Sequence, residues 1–121
     1  TNAIVTYQVD NNSTISYLFE PHYSGDNPTI YAIAGTTVAF DLTEIPGHPF
    51  ELQDNTLSPL TAGLVHVATD GTVSTNSAAQ GKQSGTLYWT INESISGNYV
   101  YQCQTHAAMY GTIVVKRLST I

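Results

Sequence analysis

Hydrophobic and polar residues alternate with a period of two in short runs along most of this chain. The clearest run covers residues 85–91, where Leu87, Trp89 and Ile91 fall on one face and are expected in the core. β-branched and aromatic residues dominate these runs, and none shows a sustained helical period. Short strands separated by frequent turns are typical of a sandwich. The pattern therefore predicts an all-β fold, a Greek-key β-sandwich of about seven to nine strands.

The turns between the runs set the predicted order of the strands. Residues 4–9 and 14–19 flank a polar turn and predict a hairpin, whereas the Pro and Gly residues within 20–27 predict a loop. The segment 74–84 is rich in Ser, Asn, Gln and Gly, and is expected to be a mobile surface loop. Further strands are predicted at 29–34, 36–42, 50–53, 64–67, 72–74, 85–91, 97–103 and 111–115.

Length and composition fit one domain. The 121 residues are enough for a core of their own, so residues 1–121 are expected to form a single domain. Charged residues make up only 10% of the chain, and Thr, Ser and Asn take their place, as is common in exposed extracellular or particle-surface β-domains. The formal net charge of −6 argues against nucleic-acid binding, which needs a basic face. The sequence holds no long apolar run, so membrane insertion is not expected. Thr1 fits either a cleaved secretory signal or removal of an initiator Met.

The residues with the most distinctive chemistry lie near the C-terminal end. The strand predicted at 97–103 ends at the only Cys, Cys103, and His106 and the only Met, Met109, follow it at intervals of three residues. Thiolate, imidazole and thioether presented by one tight loop are three of the four ligands of a mononuclear blue-copper site. The fourth ligand is a second imidazole, and His48, which follows a Pro-Gly turn, is the candidate.

This stretch resembles the ligand loop of the cupredoxins, the family that includes plastocyanin and amicyanin. In that family a Gly-x-Tyr-x-Tyr-x-Cys strand precedes the loop and Gly-x-Ile-x-Val follows it, as residues 97–103 and 111–115 do here. The spacing Cys-x2-His-x2-Met is the short form seen in amicyanin. Residues 35–40 and 47–50 are similar to the family's Gly-x-x-Val-x-Phe strand and first-His loop. The resemblance includes all four ligand positions.

The resemblance implies one copper ion per chain, with His48, Cys103 and His106 as equatorial ligands and Met109 as the axial ligand. Taken singly, Cys103 is also explained as a small buried hydrophobe and Met109 as a filler of the core. Their joint spacing with the two His residues favours the metal site. Zinc is an alternative occupant, held tetrahedrally by the first three ligands with water or a distant Met109. Gly111 is expected to let the backbone turn close beneath the site.

Pro49 departs from the family pattern. In cupredoxins the residue after the first His ligand is usually Asn, whose backbone N–H donates to the thiolate and whose side chain ties the two ligand loops together. Proline has no N–H and no amide side chain. Because donors to the sulfur tune the potential, we expect a more electron-rich thiolate and a lower potential here than in the Asn-containing relatives. Pro49 also holds His48 in an extended conformation, which compensates in part for the lost tie.

His22 and His66 lack a second ligand at metal spacing, so both are interpreted as surface or hydrogen-bonded His residues. A nucleophilic pair of Cys103 and a His is a further alternative. It leaves Met109 without a role and has no recognisable oxyanion element, so we expect no enzymatic activity.

Two functions of different class follow from these residues. In the first, the chain is a carrier of single electrons, with copper cycling between Cu(I) and Cu(II). Electrons pass through the exposed edge of His106 to a redox protein partner, which docks on a small apolar patch of Pro46, Ala107 and Ala108. Such a carrier is expected outside the cytoplasm, in a periplasmic, luminal or secreted location.

The second function is a structural or decoration module. Over nearly its whole length the chain is also similar to cupredoxin-like modules in large surface and virion proteins of marine bacteria and their phages. This resemblance implies a homo-oligomer or particle assembly on a virion or cell surface, with the metal structural or absent. The Ile- and Tyr-rich hairpin predicted within residues 4–19 would pair with a neighbour in that assembly.

Overall fold

The computed structural model describes residues 2–118, and strands make up nearly all of its regular secondary structure. The strands are β1 (Val5–Gln8), β2 (Asp10–Asn12), β3 (Ser16–Leu18), β4 (Ile30–Ile33), β5 (Thr37–Asp41), β6 (Phe50–Gln53), β7 (Leu64–Val67), β8 (Val73–Thr75), β9 (Thr86–Thr90), β10 (Gly97–Cys103) and β11 (Tyr110–Lys116), and a short 3-10 helix, η1 (Asn76–Ala79), follows β8. Within the described residues, no helix has the length and apolar character needed to cross a membrane.

Two main sheets contain nine of the eleven strands. One has the strand order β1-β5-β9-β7-β8, and the other has the order β4-β11-β10-β6. The pairs β1–β5 and β4–β11 are parallel, and the remaining pairs of both sheets are antiparallel. Strands β2 and β3 form a separate two-stranded sheet. The predicted all-β sandwich is confirmed, and its predicted strand number matches the two main sheets.

The hairpin predicted between residues 4–9 and 14–19 is wrong. β1 pairs with β5 instead, with Val5 opposite Val38. The residues predicted to turn contain β2, which pairs with β3 of the predicted strand 14–19. Burial of apolar side chains explains the difference. Tyr7 is buried with its ring centroid 5.8 Å from that of Phe40, and this contact places β1 at the edge of the larger sheet.

The segment 74–84 is not a plain surface loop. It contains η1, whose Ala79 is fully buried. The amide of Gln80 donates to the carbonyl of Leu52 at 2.7 Å and its oxygen accepts from the Leu52 N–H at 3.0 Å. Gly81 adds a backbone bond to Phe50 at 2.9 Å. A polar side chain that suggests a solvated loop in the sequence instead completes the hydrogen bonding of β6.

The alternating run that ends at Ile91 lies in the core as predicted, since Leu87, Trp89 and Ile91 are buried. Between the sheets, rings from several strands pack together. The ring centroid of Phe50 lies 5.2 Å from that of Phe40 in the opposite sheet. This aromatic core supports the end of the sandwich where β6 and β10 meet.

Gly111 has a different role from the one that the sequence suggested. It lies within β11, directly opposite Tyr101 of β10. A Cβ at this position would overlap the hydroxyl and ring of Tyr101. That hydroxyl is fixed, because it donates to the carbonyl of Pro28 at 2.6 Å. Gly111 therefore makes room for a buried ring and does not serve a turn.

We expect Gly111→Ala to destabilise the protein by roughly 1–3 kcal/mol, because the added methyl group overpacks a fixed ring. Urea unfolding followed by fluorescence measures the change. Thr112→Ala, at the next position of the same strand and only half-buried, is the control and should cost less than about 0.5 kcal/mol. Equal stability of Gly111→Ala and the native chain would contradict the packing described here.

Candidate metal centre

Two segments far apart in the chain meet at one end of the sandwich. β10 pairs antiparallel with β6, and Cys103 is the partner of Phe50. The turn before β6 carries His48, whose N–H donates to the carbonyl of Ile45 at 3.0 Å. Gly47 makes that turn with a φ of 88°, a conformation that favours glycine. The register of β6 and β10 thus places an imidazole beside the only thiol.

The loop from Cys103 to Met109 brings in the second imidazole. The Nδ1 of His106 lies 3.5 Å from the Sγ of Cys103, and the Nδ1 of His48 lies 3.9 Å from it. The two Nδ1 atoms are 3.3 Å apart. Two imidazole nitrogens and one sulfur therefore form a triangle of nearly equal sides.

This triangle has the size that a trigonal metal ion requires. With bonds of about 2.0 Å to nitrogen and about 2.3 Å to sulfur, a planar set has edges of about 3.5 Å between the nitrogens and about 3.7 Å from each nitrogen to the sulfur. Each observed edge lies within about 0.2 Å of these values. A soft sulfur with two imidazoles is also a donor set suited to copper.

Burial differs among the four predicted ligands. Cys103 is 2% exposed, His48 is 8% exposed and Met109 is fully buried, whereas His106 is partly exposed. The structure thus brings His48, Cys103 and His106 together. Met109 lies on the same loop with its side chain inside the protein, and its assignment as the axial ligand stays a prediction.

Neither a known family model nor a curated protein matches this sequence. Solved structures do match the fold. The crystal structure of amicyanin from Paracoccus versutus (Thiobacillus versutus) aligns with a TM-score of 0.51 and 19% identity, covering 93% of this chain and 80% of that one. A methionine-to-glutamine mutant of rusticyanin aligns with a TM-score of 0.47 and 25% identity, covering 92% of this chain and 78% of that one.

The chain has the cupredoxin fold. The amicyanin alignment spans most of both chains. The expected resemblance to cupredoxins is confirmed at the level of the fold, and His48, Cys103 and His106, three of the four residues that the resemblance names as ligands, lie together.

Pro49 still links the two ligand loops of this cupredoxin-like domain. Its carbonyl accepts a hydrogen bond of 3.0 Å from the N–H of Gln104, the residue after Cys103. This backbone bond joins the loops without the Asn side chain that the cupredoxin pattern leads us to expect. Pro49 has no N–H, so its backbone cannot donate a hydrogen bond to the sulfur.

A hydroxyl group lies close to the sulfur. The Oγ1 of Thr105 is 3.3 Å from the Sγ of Cys103 and 3.0 Å from the Nδ1 of His106. A metal bound to that nitrogen would occupy its lone pair, which leaves the sulfur as the acceptor for the Thr105 hydroxyl. Thr105 is thus placed to donate to a thiolate at Cys103.

His48 is held from the side of the small β2–β3 sheet. The hydroxyl of Tyr17 donates to the carbonyl of His48 at 3.0 Å, and the side-chain Nδ2 of Asn11 lies 3.3 Å from the Nε2 of His48. Burial raises the pKa of the Tyr17 phenol well above its ordinary value, and the nearby Cys103 raises it further. The phenol therefore remains protonated and continues to donate.

The other two His residues lie apart from this cluster. His66 is 3% exposed, and its Nε2 lies 2.6 Å from the carbonyl of Ser84, so it is a buried, hydrogen-bonded His. His22 is exposed and packs edge-on against the ring of Tyr7 at 5.3 Å. Both match the structural roles expected from the sequence.

Sequence reasoning missed the residues that support the ligands. Asn11 is 37 positions from His48, and no spacing connects them. Thr105 lies inside the ligand motif, and its hydroxyl two residues after the thiol was a usable signal. Gln102 contacts backbone carbonyls of the ligand loop, and a backbone acceptor leaves no signal in the sequence.

The free energy of unfolding of the metal-free protein should decrease as the pH falls through about 6.5, the ordinary pKa of His. Burial lowers the pKa of His48, and the neighbouring His106 lowers it further. The folded protein therefore binds fewer protons than the unfolded chain just below this pH, which favours unfolding. Urea unfolding of metal-free protein between about pH 7.5 and 5.5 measures the slope. The His48→Asn variant should have a smaller slope, and an equal slope would show that His48 is not the source.

Proposed function

We propose that this chain is a mononuclear type 1 copper protein that carries single electrons. The observation that supports the proposal most strongly is the triangle of Nδ1, Nδ1 and Sγ atoms of His48, His106 and Cys103, with edges of 3.3 to 3.9 Å. His48, Cys103 and His106 would hold the copper, and Met109 would be the weak axial ligand. Copper held this way supplies one-electron chemistry between Cu(I) and Cu(II) with little rearrangement.

The protein's own residues would fix the protonation states of the ligands. Cys103 would bind as a thiolate, and each imidazole would bind through Nδ1 with its proton on Nε2. For His48, that proton would face the amide of Asn11, which lies 3.3 Å away. Because Nδ2 of Asn11 cannot accept that proton, the amide would turn its oxygen towards the ring and give up the hydrogen bond that Nδ2 donates to the carbonyl of Ser13 at 3.0 Å.

The exposed edge of His106 is the proposed route for electrons. His106 is partly exposed whereas His48 is buried, so solvent and partners reach the site from one side. Pro46, Ala107 and Ala108 are all exposed and are the residues of the proposed docking patch. Small apolar residues suit brief encounters with a redox protein, and no substrate turnover is involved. A carrier of this kind would act outside the cytoplasm.

The decoration module is our second candidate function. Its support came partly from an Ile- and Tyr-rich hairpin at residues 4–19, and that hairpin does not form, because β1 pairs with β5. Light scattering of the purified protein separates the two functions. An obligate higher-order assembly would favour the module, and a monodisperse monomer would favour the carrier.

Titration of the metal-free protein with Cu(II) tests the copper site. We expect an intense visible thiolate-to-copper band that saturates at one copper per chain, with the electron spin resonance signal of a type 1 site. Cys103→Ser should remove the band, because a hydroxyl cannot replace the thiolate. Thr43→Ser, an exposed change on the loop after β5, is the control and should retain it. A protein that stays colourless, or in which Cu(II) only oxidises Cys103, would rule out the carrier.

Pro49→Asn tests the origin of the expected low potential. A restored backbone N–H should donate to the thiolate and raise the copper potential by on the order of 50 mV, since one such bond contributes about 1 kcal/mol. Thr105→Val should lower the potential, because it removes the hydroxyl that lies 3.3 Å from the sulfur. Thr105→Ser retains a hydroxyl and is the matched control. Voltammetry measures all four proteins, and an unchanged or lower potential in Pro49→Asn would contradict the hypothesis.

A further inference from the structure

One side-chain amide contacts the backbone of three predicted ligand residues. The Nε2 of Gln102 lies 2.8 Å from the carbonyl oxygen of Cys103, 3.2 Å from that of His106 and 3.3 Å from that of Met109. All three acceptors are carbonyls, so the group that faces them must be the NH2 end of the amide. The ligand loop is thus gathered around a single nitrogen.

Gln102 does this from the side of the loop that faces away from the thiol. Successive residues of a strand point to opposite faces, and Cys103 is buried while Gln102 is half-buried. The amide therefore contacts the backbone of the loop and does not take part in the triangle of donor atoms. It acts on the geometry of the ligands without binding a metal.

Backbone hydrogen bonds within the loop share acceptors with Gln102. The N–H of Cys103 donates to the carbonyl of Met109 at 2.9 Å, and the N–H of Met109 donates to that of His106 at 3.1 Å. The carbonyls of Met109 and His106 therefore accept both from these backbone N–H groups and from Gln102. The amide thus reinforces the two backbone bonds that close the loop.

We propose that Gln102 is a positioning residue that preforms the ligand loop, so that Cys103, His106 and Met109 are in place before a metal binds. The role in metal binding rests on the proposed function, whereas the preformed loop is a property of the metal-free protein. A loop that is already ordered binds metal more tightly, because less conformational entropy is lost on binding. Mutation of residues that hydrogen-bond to metal ligands typically weakens metal affinity by about 10- to 100-fold.

The test compares Gln102→Met with Gln104→Met. The first has similar length and no donor, and the second removes an amide nearby that donates to Glu51 at 2.9 Å and not to the ligand carbonyls. In metal-free protein, hydrogen exchange at the amides of Cys103 and Met109 should accelerate at least about tenfold in Gln102→Met only. Amides of the central strand β9 should exchange as in the native chain. If Gln102→Met does not fold, Gln102→Asn, whose amide is one methylene shorter, takes its place with the same expectation.

The second measurement is Cu(II) affinity by competition with a chelator, which should weaken about tenfold or more in Gln102→Met and stay unchanged in Gln104→Met. Unchanged loop exchange would overturn the proposal, and so would equal acceleration of loop and β9 amides, which indicates a general loss of stability. If the native chain shows no thiolate-to-copper band, the proposed function fails, while the exchange data still decide the role of Gln102.

Discussion

The antiparallel pairing of β6 with β10 is the constraint on which the candidate site depends. It places Cys103 opposite Phe50, so that a thiol and an imidazole 55 residues apart come within 3.9 Å. A shift of one residue in this register would move Cys103 to the other face of the sheet. The register is fixed by burial, because Tyr101 and Leu52, paired across the same two strands, both lie in the core. The core therefore determines the geometry of the site.

The donor atoms and the groups that hold the ligand loop are different sets of residues. On the side of the sulfur, the donor atoms of Cys103, His48 and His106 form a closed triangle of metal size. Polar side chains also bind the carbonyls of the loop: the Nε2 of Gln102 lies within hydrogen-bond distance of three of them, and Asn27 donates to that of Ala108 at 3.1 Å. These side chains hold the loop without supplying a donor atom to the triangle.

Local signals predicted the elements well, and long-range contacts explain what was missed. The alternation at Leu87, Trp89 and Ile91 identified a buried strand, because burial on one face leaves a period of two. The pairing of β1 with β5 left no such trace, since residues 5–8 alternate equally well in a hairpin or at a sheet edge. In the site, the spacing of Cys103 and His106 was readable. The contact of Asn11 with His48 was not, because it exists only after β2 and β3 have folded against the site.

At Pro49 the resemblance to cupredoxins leads us to expect Asn, and other groups of this chain are placed to link the loops and to donate to the sulfur. The tie between the loops passes to the backbone, where the carbonyl of Pro49 accepts from Gln104. The hydroxyl of Thr105, 3.3 Å from the sulfur, is placed to act as the donor. A hydroxyl rotates, whereas a backbone N–H is fixed by the chain, so the bond to sulfur can weaken or strengthen as the charge on the sulfur changes. The triangle of donor atoms is therefore intact beside Pro49, and the group placed to donate to the sulfur is a hydroxyl instead of a backbone N–H.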